Sequence, residues 1–514
     1  MSVTHTSLLI TRDDQATATQ GGKLWPLGIV GLVLGSLLLW LPALGLPLHY
    51  DAMVYATAAH WWAQGDTLYA GFTITRPQGI FVIFRAIEAV GLGSSRGIQF
   101  VGALCSAASA ALLLLIVSRV WGRAIGYGSA ILFAAIMATP ALEGTTTNAE
   151  LFMLVPLLGG LYLLLCADDT ALGGGRNLLL VAGCGLCFSL ALQLKPAAVT
   201  MLPLAALWLL RGRYSGRYSW GALVRAELIL AVSFLLGLAP ALIHGLLTAP
   251  DIYLYAILFY RLNKTVAGDP LSSQLARFAA RAFLVVLSLP LLLLVPKGLR
   301  AAWRAPDTRG RDLLVLWLGA SLVGAAMGGY WWLHYYQQLL PPLLVAVALG
   351  WRAIWRGGQR GLPATVQRCI AVLGGVCLAI TVLFAVTVRA EPLQLLAGVQ
   401  PYYRPAEPVA AYLREHTAAD EGIFIVYERP EIYYLAQRRP VTSWPNVPDL
   451  VRVPGAFERQ IALLADPATA PRYIAAVQPF DEGGLDAQGT LRALMERDYV
   501  LETTVEGIPI YRRR

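Results

Sequence analysis

A polytopic α-helical membrane protein of about eleven spans, with a C-terminal soluble α/β domain, is the fold class this sequence predicts. Three observations carry the prediction. The 514 residues are 57% hydrophobic and only 14% charged, with a mean hydropathy of +0.59, against about 25% charged residues in a soluble globular chain. Long apolar runs recur at 31–41, 110–117, 151–165 and 291–295, so most of the chain is solvated by lipid. After Arg389 charged residues return, and strand-like runs alternate with helical ones.

A helix crosses the roughly 30 Å hydrocarbon core with about 20 apolar residues. On that measure spans fall near 25–45, 98–118, 124–140, 150–167, 177–193, 195–210, 226–247, 279–297, 312–329, 335–350 and 369–389. The first 24 residues are polar and Thr-rich, and the long apolar run after them reads as a retained first span rather than a cleaved signal. The pair around Gln193, Lys195 and Pro196 is short and reads either as two spans or as one broken helix.

Topology turns on 77–91. The stretch is apolar but holds Arg85 and Glu88, and a charge at the bilayer centre costs about 2.5–3.5 kcal/mol on insertion scales. Their i, i+3 spacing suits an amphipathic helix lying on the membrane surface. With that helix excluded and the N-terminus inside, the loops carrying Arg119, Arg123, Arg211, Arg213, Arg217, Arg309 and Arg311 face inward, as the positive-inside rule requires. Counting 77–91 as a span would turn them outward. The formal net charge of +9 is thus an orientation signal, and no nucleic-acid partner is expected.

The resulting plan is a cytoplasmic tail over 1–24, a transmembrane domain over 25–389 with a long outer loop at 46–97, and an extracytoplasmic domain over 390–514. The last contains strand-like runs at 422–427, 473–477 and 499–503 and helical stretches at 408–416 and 491–497, which together suggest a small α/β unit. Six cysteines lie in or beside apolar segments. Cys184 and Cys187 form a CxxC without an accompanying His, and with Gly185 between them they read as small packing residues.

This topology gathers the unusual polar residues on the outer face. The first outer loop contains His49, Tyr50 and Asp51, then Tyr55, His60, Asp66, Tyr69 and the run Arg76-Pro77-Gln78-Gly79. The second carries Glu143 and Asn148-Ala149-Glu150, and Lys195-Pro196 sits at the outer hinge of the short pair. Loop 248–278 holds Arg261 and Lys264, and His334-Tyr335 precedes Pro341-Pro342 at the tenth span. Carboxylates after the first and third spans, with convergent Arg, Lys and His, define a cleft suited to an anionic lipid headgroup and a hydroxyl.

The order and spacing of these elements resembles the GT-C superfamily, in the branch of the protein O-mannosyltransferases and the aminoarabinose transferase of lipid A (glycosyltransferase family 39-like). The matching positions are Asp51 with Tyr55, Arg76-Pro77-Gln78-Gly79, Trp121-Gly122-Arg123, Ala149-Glu150, Lys195-Pro196, and His334-Tyr335 with Pro341-Pro342, over roughly 25–390. Ala52 stands where the family often has a second acid, Gln78 replaces its second Pro, and the second acidic loop offers Glu rather than Asp. Glu143 and Glu150 compete for that role.

The resemblance implies an inverting glycosyltransferase that moves a sugar from a polyprenyl-phosphate donor to a hydroxyl of a protein, lipid or glycan acceptor outside a bacterial inner membrane. Asp51 is then the general base, because attack on an anomeric carbon by a hydroxyl needs a carboxylate to take the proton. The alternative for Asp51 is the N-cap of a helix over 51–64. Arg76, Lys195, His334, Arg261 and Tyr55 become the donor phosphate and sugar contacts, and Glu150 and Glu143 the second acids. Glu428, Glu431, Tyr433 and Tyr434 are either acceptor contacts or solvated surface.

No cofactor is expected. A divalent cation held by the two acidic loops, as in the oligosaccharyltransferase branch, is the alternative, and no His/Cys cluster makes a zinc site. The competing functions are a multi-pass transporter or flippase of lipid-linked sugars, and a scaffold without activity. The polar residues cluster at one face and the halves show no repeat, which argues against the transporter.

Overall fold

The computed structural model describes residues 12–46, 48–70, 74–139, 141–168, 174–260, 270–356, 363–387, 406–427, 429–442 and 455–514, together with Leu450 and Val453. Its membrane part begins with α1 (Arg12–Trp40), followed by α2 (Tyr50–Ala63) and α3 (Gln78–Ala89). The bundle continues through α4 (Ser95–Trp121), α5 (Arg123–Met137), α6 (Ala149–Asp168), α7 (Gly175–Leu194), α8 (Met201–Tyr214) and α9 (Trp220–Thr248). After the short α10 (Pro250–Leu254) come α11 (Leu271–Ser288), α12 (Val295–Arg304), α13 (Thr308–Ala326), α14 (Leu340–Arg356) and α15 (Ala364–Thr387).

Among the described residues, five helical segments are long and apolar enough to cross a membrane alone, at Trp25–Gly45, Ser95–Trp121, Ala149–Asp168, Gly175–Leu194 and Trp220–Thr248. Helices also lie at the other predicted spans, but several, such as α5, α8 and α14, are shorter than a straight crossing requires. The predicted span at 279–297 is broken: Pro290 follows the end of α11, and the chain turns by 101° into α12. Length and apolarity by themselves therefore count five spans, or six with that bent pair, where the sequence predicts about eleven.

Charge is sorted to the two ends of the bundle. α6 carries Glu150 in its first turn and ends at Asp168, a rise of roughly 30 Å at 1.5 Å per residue. At the far end buried Asp168 pairs with Arg217 at 2.5 Å and Arg309 at 3.4 Å, and Asp312 pairs with Arg211 at 2.7 Å. The Trp121-Gly122-Arg123 turn lies at the end of α4, where Gly122 takes φ +89°, a conformation that only glycine adopts without strain. Between the ends lies a continuous apolar core built by α4, α5, α6, α7 and α9, with apolar side chains left exposed around it. The protein is a multi-pass membrane protein.

The stretch predicted to lie on the surface is α3. Ile80, Phe81, Phe84 and Ile87 are buried while Arg85 is exposed, and twelve residues rise only about 18 Å. Gly79 brings this helix against the end of α7: a Cβ there would sit 2.8 Å from Gln193 Cβ and 2.9 Å from the Gln193 carbonyl oxygen. Gly79→Ala is expected to cost about 1–3 kcal/mol, the usual penalty for overpacking. A fall in the unfolding midpoint in detergent checks it, and an unchanged midpoint would show that the contact relaxes freely.

Glycine at 185 plays the packing part expected of it, since a Cβ there would lie 2.6 Å from the Leu230 carbonyl oxygen of α9. Cys184 and Cys187 are free thiols on the same helix.

The C-terminal region is an α/β sandwich. Its sheet has strand order β1-β2-β4-β3, from β1 (Phe424–Ile425), β2 (Tyr473–Ala475), β3 (Tyr499–Val505) and β4 (Ile508–Arg513). β1 and β2 are parallel, and β4 runs antiparallel to both β2 and β3. Because successive strand residues face opposite sides, Ile425, Tyr473, Ala475 and Ile510 meet α16 (Ala406–His416) and α17 (Pro430–Ala436), whereas Phe424 and Ile474 face the other side. There they pack with α18 (Ala456–Ala465) and α19 (Thr490–Asp498). The strand β4 goes beyond the three strand-like runs expected. Its hairpin turns at Glu506 and Gly507, both with positive φ, as a two-residue turn between twisted strands needs.

Candidate active site

α2 is capped by His49, whose Nδ1 accepts the Asp51 N–H at 3.3 Å. This corrects the expectation that Asp51 could itself be the N-cap: the helix starts at Tyr50, so the capping position falls two residues before Asp51. The Asp51 carboxylate turns instead to Arg76, with Oδ1 3.8 Å from Nη2. Arg76 arrives on the chain leading into α3. Tyr69, at φ 73°, donates its hydroxyl to the Arg76 carbonyl at 2.7 Å and meets Tyr253 edge-on at 5.0 Å, which fixes this turn.

Tyr55 stands one helical turn beyond Asp51, fully buried between Phe81 and Phe84. Burial, and next the Asp51 charge, push its hydroxyl pKa up, so it stays a neutral donor.

The second acidic loop supplies a chain of alternating charge. Glu143 Oε2 lies 2.5 Å from His334 Nδ1, and the other ring nitrogen is 3.7 Å from Glu150 Oε1. Glu150 Oε1 is in turn 2.5 Å from Lys195 Nζ, and that ammonium sits 4.9 Å over the Tyr335 ring. Lys195 is the first residue past α7, in extended conformation before Pro196. The short pair is thus two helices, α7 and α8, joined by Lys195 and a 3-10 turn over Pro196–Thr200.

His49 links the two halves, its Nε2 lying 4.0 Å from Glu143. Leu142 and Glu143 both take left-handed backbone, at φ 54° and 53°, which costs on the order of 1–3 kcal/mol per residue. Gln337 holds that turn by donating its amide to both carbonyl oxygens at 3.1 Å.

The electrostatics follow from this geometry. Burial alone would raise the Asp51 carboxyl, but Arg76, then His49, His334 and Lys195, outweigh it and hold the pKa at about 2. Burial likewise opposes ionisation of Glu143, and His334 reverses it, lowering that carboxyl below its ordinary 4.5. Burial disfavours the imidazolium of His334, yet Glu143 and next Glu150 raise its pKa above 6.5.

The linkage signs are opposite. The stability from a raised His334 is full below pH 6.5 and is lost as pH climbs through its folded value. That from a lowered Glu143 is full above pH 4.5 and is lost as pH falls. The pair therefore stabilises most between about 4.5 and 6.5. Thermal unfolding at pH 5.5 and 8.5 checks this. The wild type should lose more of its midpoint at the higher pH than His334→Gln does, and equal losses would remove His334 as the titrating group.

Seven of the sequence candidates thus converge: Asp51, Tyr55, Arg76, Glu143, Glu150, Lys195 and His334. Arg261, with Lys264 and Glu428, lies outside the described residues. Gln337 and the bridging role of His49 were missed by sequence reasoning; the available signal for Gln337 was a pair of glutamines interrupting an apolar run.

The tail candidates are placed differently from a solvated surface. Glu431 is buried against Arg429 at 2.9 Å, Tyr433 is buried with its hydroxyl accepting the Ile425 N–H, and Tyr434 donates to the Gly93 carbonyl at 2.6 Å. Among the described residues no group of three or more His, Cys, Asp or Glu side chains is arranged to hold a metal ion. Each acid of the site instead faces a cationic or imidazole side chain.

The architecture matches solved structures along nearly its whole length. ArnT from Cupriavidus metallidurans bound to undecaprenyl phosphate aligns with a TM-score of 0.64 over 95% of this chain and 97% of that one, at 15% identity. The chain has the GT-C fold. The oligosaccharyltransferase AglB from Archaeoglobus fulgidus, in complex with an inhibitory peptide and a dolichol-phosphate, aligns with a TM-score of 0.53 over 93% of this chain and 73% of that one, at 13% identity. No protein-family model and no curated protein sequence matches. The likeness of this chain to both structures is one of fold.

Proposed function

We propose that the chain is an inverting glycosyltransferase, moving a sugar from a polyprenyl-phosphate donor to a hydroxyl acceptor at the extracytoplasmic face of a bacterial inner membrane. The observation that carries the reading is the position of Asp51. Its carboxylate lies in the field of Arg76, His49, His334 and Lys195, which come from separate segments of the chain. The likeness in fold to ArnT bound to undecaprenyl phosphate, and to AglB in complex with a dolichol-phosphate, supports the donor class.

In this reading the acceptor hydroxyl attacks the anomeric carbon and gives its proton to an Asp51 oxygen. A new C–O bond forms as the bond between that carbon and the phosphate oxygen breaks, and the polyprenyl phosphate leaves with the electron pair. Arg76 meets the phosphate with the fork geometry of guanidinium, with Lys195 and His334 as further positive partners.

A carboxyl held at about 2 is a weak base in the resting protein. A phosphate that takes over Arg76 removes its largest stabilising partner, so donor binding raises the proton affinity of Asp51 when a base is needed. The pairing of acids with Arg, Lys and His suits a mechanism in which side chains neutralise the phosphate, without a divalent cation.

The test is sugar transfer by purified protein given a panel of polyprenyl-phosphate sugars, with membrane extract as acceptor. Turnover of at least one donor is expected. A protein that neither binds nor consumes any of them overturns the reading and makes lipid-linked sugar transport the next assay.

A further inference from the structure

We propose that the C-terminal domain sets the position of Asp51, with Thr57, Tyr434 and Arg439 as positioning residues that act through α2. The functional part of this inference rests on the proposed role of Asp51 as base. One helix carries both features: Asp51 lies in the first turn of α2, and the second half of the same helix is the floor on which the C-terminal domain sits.

Thr57 is buried, and its hydroxyl is shared between the Met53 carbonyl oxygen of its own helix, at 2.7 Å, and the Pro430 carbonyl oxygen at the start of α17, at 3.0 Å. His60 is buried between Glu88, at 2.5 Å, and the ring of Tyr434, whose centroid is 5.5 Å away. Tyr434 reaches on to the Gly93 carbonyl beyond α3 at 2.6 Å. Past the end of α2, Asp66 pairs with Arg439 at 2.7 Å, and the same guanidinium lies 5.8 Å over Trp61.

The C-terminal side of this contact is stiff. α17 is tied to the sheet because the Tyr433 hydroxyl accepts the N–H of Ile425 in β1 at 2.9 Å. Arg429, before the helix, pairs with Glu431 inside it. On the membrane side Thr57 is six residues from Asp51, about 9 Å along a continuous helix. A helix transmits a rigid displacement of one end to the other, and reacting groups tolerate little: a shift of about 1 Å costs as much as ~100-fold in rate. His60, Asp66 and Tyr434, which the proposed chemistry does not use, thereby have a function.

The experiment uses the full-length protein in lipid nanodiscs, comparing wild type with the combined Thr57→Val, Tyr434→Phe and Arg439→Gln variant, and with Thr57→Ser as the conservative control. Hydrogen exchange over 46–63 reads the mechanical part. Loss of protection that extends through Asp51 is expected in the combined variant and not in Thr57→Ser. Loss confined to 57–63 and the contacting residues of the C-terminal domain, or no change, overturns the proposal.

Kinetics read the functional part. A fall in kcat of ~10- to 100-fold, with the donor KM within twofold of wild type, is expected. An unchanged kcat overturns the proposal, and so does parallel loss of kcat and donor affinity, which marks general damage. If wild type transfers no sugar, the transferase reading has failed, and the exchange result alone decides whether the domain positions α2.

Discussion

Asp51→Asn is expected to lower the transfer rate by about a thousandfold while leaving donor binding intact. The change is almost isosteric, and the amide can still contact Arg76, but it has no affinity for the acceptor proton at working pH. General bases contribute roughly 10²–10⁴ to such steps. The direction of the binding effect is fixed by charge. In the resting protein the Asp51 carboxylate stands 3.8 Å from Arg76 and competes with an incoming phosphate for it. Removing the charge should leave the affinity for polyprenyl phosphate equal or somewhat tighter. Initial rates over a donor titration, with direct binding of the lipid phosphate, check both halves. A variant within tenfold of wild type would remove Asp51 as base and direct attention to Glu143 and Glu150. A variant that neither binds nor turns over would make Asp51 structural.

The site was legible in the sequence to the extent that its residues are costly where they stand. An ionisable group at the edge of an apolar run must be paired or face water, and Asp51, Arg76, Glu150, Lys195 and His334 stand out for that reason alone. Their pairing was not legible. His334 and Glu143 are 191 positions apart, and nothing local to either residue announces the other. Glu143 and Glu150, which the sequence offers as competitors for one role, both lie beside His334, at 2.5 Å and 3.7 Å.

Elsewhere the misreadings have definite causes. Glu431 and Tyr433 looked like surface residues because they are polar and sit in a charged stretch. Glu431 finds its counter-charge two residues away in Arg429 and is buried with it. β4 carries a weak strand signal because Pro509 interrupts it and arginines follow, and proline argues against a strand flanked on both sides. It is tolerated here because the Pro509 carbonyl still accepts from the Ala476 N–H at 2.9 Å. Arg85 and Glu88 mark 77–91 as a stretch unsuited to spanning, and the helix found there, Gln78–Ala89, is too short for a straight crossing. The count of about eleven spans is not carried by length and apolarity, which give five, or six with the bent pair, among the described residues.

Lys195→Met is the second large effect. Lys195 and Glu150 are buried and 2.5 Å apart. Removing the ammonium leaves the Glu150 carboxylate, among the described residues, with His334 as its remaining ion-pair partner, 3.7 Å away and already engaged with Glu143. Breaking a buried pair from one side costs about 3–5 kcal/mol, whereas replacing both partners by uncharged groups of similar size is often near neutral. The single variant should therefore unfold well below wild type in detergent, and Lys195→Met combined with Glu150→Gln should recover most of the difference.

Activity should not follow stability. The group of Asp51, Arg76, Glu143, Glu150, His334 and Lys195 is neutral when His334 is protonated, so a donor phosphate binds only by drawing cations away from carboxylates. With Lys195 gone, one of those cations is missing in both variants, and transfer should stay low even in the restabilised pair. Recovery of activity along with stability would place Lys195 in the scaffold alone. Equal stability of the single and double variants would mean that Glu150 finds its compensation elsewhere, and the alternating chain through His334 would then not be what holds the second acidic loop.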